Sequence, residues 1–396
     1  MKLGIYGGTF NPPHLGHTGA AKTAAAVLGL DKLFFMPDCL PPHKEMAEDA
    51  PGTEHRLEML RVAVDGMQMK DRVEVSRLEI DRGGKSYTAD TVDALSALYP
   101  DAELWLLMGS DMFLTLQNWY RAADILKRCR VAAFARSEND TSELLKIQAG
   151  YLHCTYGTVC TVISLPDLVD ISSTELRRRL AAGESTSEFL APPVYGFILR
   201  EGLYGTHADL KHLSDEELRA VSQSMVKAKR IPHILGTECT AVALARRWGD
   251  NEEYARRAGI LHDCTKYGTM EEQLNLCARY GIVLDNLEQR TLKLLHAKTG
   301  AALAEHVFGQ PEEVVSAIRW HTTGRANMTK LEKILYLADY IEPNRDFDGV
   351  ERLRCLAEED LDKAVAEGLS MTIEEMSQEG YEIHPATMAA LESLKG

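Results

Sequence analysis

The chain has 396 residues, with 44 basic against 59 acidic side chains (formal net charge −15) and 45% hydrophobic residues. At about 150 residues per domain, that length predicts two or three compact units, and the composition excludes a largely disordered chain. A net-acidic chain repels a nucleic-acid backbone, so no nucleic-acid partner is expected. No run approaches the ~18 apolar residues of a membrane span, and none builds a signal-peptide core near Met1, so no membrane partner is expected either. The eight cysteines, at positions 39, 129, 154, 160, 239, 264, 277 and 355, include no Cys-x-x-Cys pair. That spacing argues against a disulfide frame or a structural zinc site and points to a cytoplasmic protein with reduced thiols.

Taken in chain order, Leu3–Tyr6 predicts a strand, a glycine-rich turn follows, and alanine-rich Gly16–Leu28 predicts a helix. Lys32–Met36 predicts a second strand stopped by Pro37, and Glu103–Met108 another that ends at Gly109. Helical Tyr120–Arg128 precedes a strand at Arg130–Phe134. This rhythm of strand then helix predicts a Rossmann-like α/β domain with a parallel sheet and crossover helices. From Ser214 onward the periodicity is helical, as in Cys239–Trp248, Tyr254–His262, Leu287–His296 and Leu331–Tyr340. Ser214 and Glu217 form a capping-box pattern that opens that region. The expected division is residues 1–205, an α/β domain, and residues 206–396, an all-α domain.

In the first domain the strand-to-helix turn reads Gly7-Gly8-Thr9-Phe10-Asn11-Pro12-Pro13-His14-Leu15-Gly16-His17. Glycines let the backbone approach a ligand closely, and the following helix offers free N–H groups and a positive dipole end. Two histidines three apart can both face a phosphate chain. The turn is neither a P-loop nor a Gly-x-Gly-x-x-Gly dinucleotide turn; its ordinary alternative is a glycine turn with two incidental histidines. Downstream, Ile171-Ser172-Ser173-Thr174-Glu175-Leu176-Arg177 is either plain helix capping or a helix start that also suits a polyphosphate.

These two segments resemble the nucleotidyltransferase superfamily. Pro41-Pro42-His43-Lys44, Arg56-Leu57-Glu58-Met59-Leu60, Ser86-Tyr87-Thr88-Ala89-Asp90-Thr91, Gly109-Ser110-Asp111 and Trp119-Tyr120 narrow the resemblance to nicotinate mononucleotide adenylyltransferases. It covers roughly residues 1–205 and implies transfer of an adenylyl group from ATP to nicotinate mononucleotide. By that resemblance His14 and His17 are catalytic donors. Gly7, Gly8, Thr9, Phe10, Gly109, Asp111, Ser173, Thr174 and Arg177 bind ATP, and Lys44, Thr88, Trp119 and Tyr120 bind the mononucleotide. Mg2+ arrives with ATP, held by phosphates and water rather than by a protein cage. Without the resemblance, Trp119 reads as an ordinary half-buried aromatic.

In the second domain the informative residues are His233, the doublet His262-Asp263, His296, His321 and Asp339. A lone helical histidine is usually structural, but a His-Asp doublet with a histidine one hairpin earlier and a late aspartate is a ligand pattern. Neighbouring helix residues diverge by about 100°, which suits adjacent corners of an octahedral ion. Two nitrogens and two oxygens favour iron or manganese over a closed zinc site. Arg230-Ile231-Pro232-His233, His262-Asp263-Cys264-Thr265-Lys266, His321-Thr322-Thr323-Gly324-Arg325 and Ala338-Asp339-Tyr340-Ile341-Glu342-Pro343-Asn344-Arg345 resemble the HD superfamily of phosphohydrolases, in its symmetrical diadenosine tetraphosphate hydrolase branch.

That resemblance implies His233, His262, Asp263 and Asp339 as metal ligands, and Lys266 as a catalytic cation. Arg230, His296, His321, Thr322, Arg325 and Arg345 would bind substrate, with His296 and His321 meeting phosphate or a second ion. Pro232 requires the helix that carries His233 to begin there or to kink. His306 and His384 read as structural, and Glu351–Asp362 as a solvated face. Two alternatives stay open for this domain: a non-catalytic nucleotide sensor, or a hydrolase of a guanosine polyphosphate, deoxynucleotide or cyclic nucleotide. The sequence leaves oligomeric state undecided, a homo-oligomer included.

Overall fold

The computed structural model describes residues 1–42, 50–135, 141–165 and 171–395. These divide into two units, Met1–His207 and Ala208–Gly396. In the first, the strands are β1 (Lys2–Gly8), β2 (Lys32–Pro37), β3 (Val73–Val75), β4 (Glu103–Gly109), β5 (Cys129–Ala135) and β6 (Cys160–Ser164). Between and after them lie α1 (Leu15–Leu28), α2 (Thr53–Asp65), α3 (Leu78–Arg82), α4 (Thr88–Leu98), α5 (Ser110–Leu114), α6 (Ala122–Arg128), α7 (Thr141–Tyr156), α8 (Ser173–Ala181) and α9 (Pro192–Glu201).

All six strands pair in parallel, in the order β3-β2-β1-β4-β5-β6. The first unit is therefore the expected Rossmann-like sheet, and the order in which strands are added reverses between β1 and β4. In such sheets the crevice at the carboxyl ends of those two strands is where ligands bind. The strands read as continuous apolar runs because both faces are covered. Leu3, Ile5, Leu104, Leu106 and Val131 pack on one side with α4 to α7. Tyr6, Leu33, Phe35, Leu107 and Phe134 pack on the other with the small face Ala20, Ala21, Ala24 and Ala25 of α1.

β3 and β6 were not expected from the sequence; β3 is three residues long and β6 lies at the sheet edge. The helix expected over Tyr120–Arg128 begins later, at Ala122. Arg121 takes a left-handed conformation (φ 54°) and caps the helix instead. Its guanidinium bonds to Asp93 and Asp124, each at 2.8 Å, which holds this costly backbone geometry.

The second unit holds α10 (Asp215–Ser224), α11 (Ile231–Trp248), α12 (Glu252–Leu261), α13 (Met270–Arg279), α14 (Leu292–His306), α15 (Glu312–Trp320), α16 (Lys330–Ile341), α17 (Val350–Glu359), α18 (Leu361–Gln378) and α19 (Pro385–Lys395). It contains no strand among the described residues. Its core is built from Ile234, Ala241, Ile260, Leu261, Leu295, Val315, Ile318, Ile334 and Leu335, all fully buried. The Ser214–Glu217 capping box opens α10 as expected. The run expected to be one helix over Leu287–His296 is broken: Asp285 accepts the N–H groups of Leu287 and Glu288, a single tight turn follows, and α14 starts at Leu292. No helix among the described residues is long and apolar enough to cross a membrane, and all eight cysteines are free thiols.

Candidate functional site

The glycine-rich turn leaves β1 at the sheet reversal, and β4 ends beside it at Gly109. His14 is the N-cap of α1 and His17 its third residue. The backbone N–H of His14 donates to Nδ1 of His17 at 3.2 Å, and the two rings lie 3.7 Å apart. A neutral imidazole that accepts through Nδ1 carries its proton on Nε2, so His17 is set up as a donor. Phe10, in the left-handed region at φ 47°, buries its ring among Tyr6, Phe35 and His17. Phe10 and Thr9 therefore shape the turn from beneath. The Thr9 hydroxyl donates to Asp38 at 2.9 Å, and buried Arg56 bonds both the Thr9 carbonyl and Asp38. The Arg56–Asp38 pair was not expected as part of the site: Arg56 stood only within a segment that carries the family resemblance, Asp38 follows β2, and no spacing links the two.

The downstream Ser172–Arg177 segment meets this turn. Ser173 Oγ donates to the Pro12 carbonyl at 3.2 Å, and Arg177 donates to the Asn11 carbonyl at 2.8 Å and to Thr174 Oγ1 at 3.2 Å. Ser172 caps α8 by accepting from the Glu175 N–H, but only half the box forms. The Glu175 carboxylate turns to Arg178 and Arg179, which hold its pKa down at about 2. Gly109 caps α5, and a Cβ there would sit 2.8 Å from Asp111 Oδ1. Thr88 opens α4 next to Tyr87, whose ring lies 4.7 Å from that of exposed Tyr120, while Trp119 packs half-buried against the sheet core. Lys44 lies outside the described residues.

In the second unit α11 begins at Ile231, so Pro232 sits in its first turn, where its missing N–H costs nothing, and His233 follows undisplaced. His262 and Asp263 come just after α12 rather than within it, His296 lies in the second turn of α14, His321 caps α15, and Asp339 is near the end of α16. His233 Nε2 is 3.2 Å from His262 Nε2 and 3.0 Å from Asp339 Oδ1. His296 Nε2 is 3.2 Å from His321 Nε2 and 3.2 Å from Asp263 Oδ1. Asp263 joins the two groups: its Oδ2 lies 3.5 Å from His262 Nε2 and 3.8 Å from His233 Nε2.

Each imidazole has its Nδ1 beside an acceptor. His262 faces Gly259 O at 2.8 Å, His296 faces Lys293 O at 2.8 Å, His321 faces Ile318 O at 2.7 Å, and His233 faces Glu342 Oε1 at 3.0 Å. A carbonyl or carboxylate oxygen requires N–H there, which leaves Nε2 as the lone-pair atom. Four such nitrogens converge with two carboxylates, and Asp263 Oδ1 is buried without a hydrogen bond. Lys266, 3.4 Å from Asp263 Oδ1, and Arg230 meet this set from its edge, but the Nε2 lone pairs of His233 and His262 still face each other, so the donor set fits a divalent metal.

Burial opposes charge on Asp263 and Asp339, yet the surrounding imidazoles outweigh it and hold both carboxyls well below their ordinary range. Burial likewise opposes charge on His262, but Asp263 and Asp339 raise it, whereas burial pushes His296 down to about 4. Of the expected substrate cations, Arg230 donates to Asp263 Oδ2 at 2.6 Å and Arg345 to Asp339 Oδ1 at 2.9 Å. Lys266 lies 3.1 Å from His296 Nε2, and Thr322 Oγ1 lies 3.3 Å from His321 Nε2. Arg325 is directed to buried Glu332, with Nε and Nη2 donating to the same oxygen at 3.1 and 3.0 Å.

A third cluster, Asp285, Glu288 and His384, has a different character. The Ala386 N–H donates to His384 Nδ1, so Nε2 carries the proton and faces Asp285 at 3.0 Å, while Lys298 pairs with Glu288. That set is satisfied as a charge network.

The protein is 37% identical over 216 residues to a probable nicotinate-nucleotide adenylyltransferase of Pelobacter propionicus, covering 52% of this chain and 98% of the relative. This chain belongs to the nicotinate-nucleotide adenylyltransferase family. A second such relative, from Carboxydothermus hydrogenoformans, is 36% identical over 51% of this chain and 98% of its own length. Residues 5–179 match the cytidylyltransferase-like family, and residues 230–344 match the HD domain. This adenylyltransferase-family chain is therefore joined to an HD domain, whose span includes all four expected metal ligands. Among solved structures, a "predicted HD superfamily hydrolase involved in NAD metabolism" from Clostridium acetobutylicum is 40% identical, with 46% of this chain and 97% of that chain covered at a TM-score of 0.45. A Plasmodium falciparum nicotinic acid mononucleotide adenylyltransferase complexed with NaAD is 16% identical over 52% of this chain and 98% of that chain, at a TM-score of 0.44.

Proposed function

We propose that the first unit transfers the adenylyl group of ATP to nicotinate mononucleotide, and that the second hydrolyses diadenosine tetraphosphate to two ADP. Family membership supports the first activity, and the observation that carries its mechanism is the docking of Ser173 and Arg177 onto Asn11 and Pro12 beside His14 and His17.

The mononucleotide supplies its own nucleophile. A phosphate oxygen attacks the α-phosphorus of ATP, the bond from that phosphorus to the bridging oxygen breaks, and pyrophosphate leaves. The protein brings two anions together, which can remove about 7–11 kcal/mol of barrier. His17 Nε2–H, the His14 imidazole, the first amides of α1 and Arg177 stabilise charge growing on the phosphoryl oxygens and the leaving group. Magnesium enters with ATP and lowers the charge on its phosphates. Thr88, Trp119, Tyr120 and Lys44 hold the pyridine mononucleotide, and Asp111 lies on the adenosine side.

In the second unit His233, His262, Asp263 and Asp339 would hold a divalent metal, iron or manganese, which would supply Lewis-acid activation of water and phosphate. The chain's own part is orientation: Arg230 and Arg345 brace the two aspartates, and Lys266 with His296 and His321 meets substrate phosphate. Retention of every ligand favours hydrolysis over nucleotide sensing. Product analysis of the purified chain tests both halves. ATP with nicotinate mononucleotide is expected to give the deamido dinucleotide and pyrophosphate; diadenosine tetraphosphate with iron or manganese is expected to give ADP alone. Absence of the dinucleotide overturns the first reading. Metal binding without ADP release leaves the second unit a sensor, and faster turnover of a guanosine, deoxy or cyclic nucleotide reassigns its substrate.

A further inference from the structure

Glu342 follows α16 and is 1% exposed, and unlike the backbone carbonyls behind the other three histidines it is a side chain that must itself be held in place. Its Oε1 faces His233 Nδ1 at 3.0 Å. Its Oε2 accepts two N–H groups from Asn344, the backbone at 2.7 Å and the side-chain amide at 2.8 Å. The same Asn344 amide also donates to the Pro232 carbonyl, 3.1 Å away in the first turn of α11. Gly236, one turn after His233, is the wall of this socket: a Cβ there would collide with Glu342 Oε2. Glycine inside a helix is destabilising relative to alanine, so this position gives up helix stability and makes room for the carboxylate.

We propose that Glu342 is a positioning residue for the metal centre, fixing His233 in the Nδ1–H tautomer with Nε2 turned to the ion, and that Gly236 and Asn344 exist in this fold to seat it. The proposal rests on the metal-centre reading of the second unit. His233 and Asp339 stand on different helices, α11 and α16, and the Glu342–Asn344 clamp ties the start of one to the end of the other. Partners of this kind commonly change metal affinity or activity by about 10–100-fold.

Glu342→Gln tests the tautomer at constant shape. One amide orientation sets its NH2 against the two Asn344 donors; the other sets it against His233 Nδ1 and forces the proton onto Nε2. The first sets donor against donor and the second removes the Nε2 lone pair, so Mn2+ affinity of the full chain, measured by competition with a chromogenic chelator, is expected to fall about 10–100-fold. Gly236→Ala, which alters neither carboxylate nor imidazole, is expected to weaken Mn2+ binding similarly and to change the visible spectrum of the Co2+-loaded protein. Adding Gly236→Ala to Glu342→Ala is expected to cost far less than Gly236→Ala does alone, because the severe collision is gone and only the Asn344 amide, 3.2 Å from the new Cβ, must give way. Folding of each variant is followed by circular dichroism and thermal melting. If wild type binds Mn2+ and folded Glu342→Gln and Gly236→Ala bind it equally tightly, the positioning role is overturned while the metal centre stands. If wild type itself binds no divalent ion, the metal centre falls and the proposal with it.

Discussion

His17 receives the backbone N–H of His14 on its Nδ1, and this bond determines which nitrogen of His17 can face a phosphate. Removing one such aimed donor typically costs 10²–10³ in turnover. His17→Ala is therefore expected to lower kcat for adenylyl transfer about 100-fold or more, with the melting temperature of the protein nearly unchanged. A steady-state pyrophosphate-release assay reads the first quantity and calorimetry the second; turnover near wild type removes His17 from the phosphate site.

Arg56 and Asp38 form a buried pair beneath the same turn, with side chains 2% and 10% exposed. Breaking such a pair from one side leaves a stranded charge and typically costs about 3–5 kcal/mol. Arg56→Met is expected to destabilise the first unit by that order in urea unfolding. Asp38→Asn in the same background is expected to recover part of the loss, since the unpaired charge is then absent.

Burial raises the pKa of Glu79 above its ordinary value of 4.5, against the opposing hydrogen bonds of Thr91 and Ser86. The folded state thus holds this proton to higher pH than the unfolded state does. Its contribution to stability is complete below 4.5 and is lost as pH rises through the raised folded value. Glu79→Gln is expected to flatten the fall in stability above pH 4.5 and to melt higher than wild type at pH 7, by about 2–4 °C for each kcal/mol recovered. An unchanged pH profile in thermal scans sinks this assignment.

Metal removal is expected to lower the unfolding temperature of the second unit, because a ligand at 100 times its dissociation constant stabilises by about 2.7 kcal/mol. Asp263→Asn is expected to reduce divalent-ion binding more than His321→Ala does, since Asp263 alone faces both histidine groups. Equal affinities in a chelator titration would contradict that ranking.

The parallel sheet was legible because its strands are apolar on both faces, and the all-helical texture after Ser214 was equally plain. Residues that end up together were legible only as separate motifs: Arg177 lies far along the chain from Asn11, and no periodicity connects them. The departures follow from local chemistry. Arg121 starts α6 late because two aspartates hold its left-handed backbone, and Asp285 breaks the run before α14 by accepting two backbone N–H groups. Glu342 stood within a segment that carries the HD resemblance but was given no role, because a carboxylate that touches an imidazole from behind has no spacing signature in the sequence.

Tyr204 donates its hydroxyl to Asn11 Oδ1, a contact spanning 193 positions, and Ser173 reaches Pro12 across 161. During synthesis the amino-terminal turn emerges first and must wait for partners not yet made. A nascent fragment that stops after β6 has its whole sheet but lacks the helix that braces the amino-terminal turn. The turn is thus locked late in the birth of this unit, after its framework has already formed.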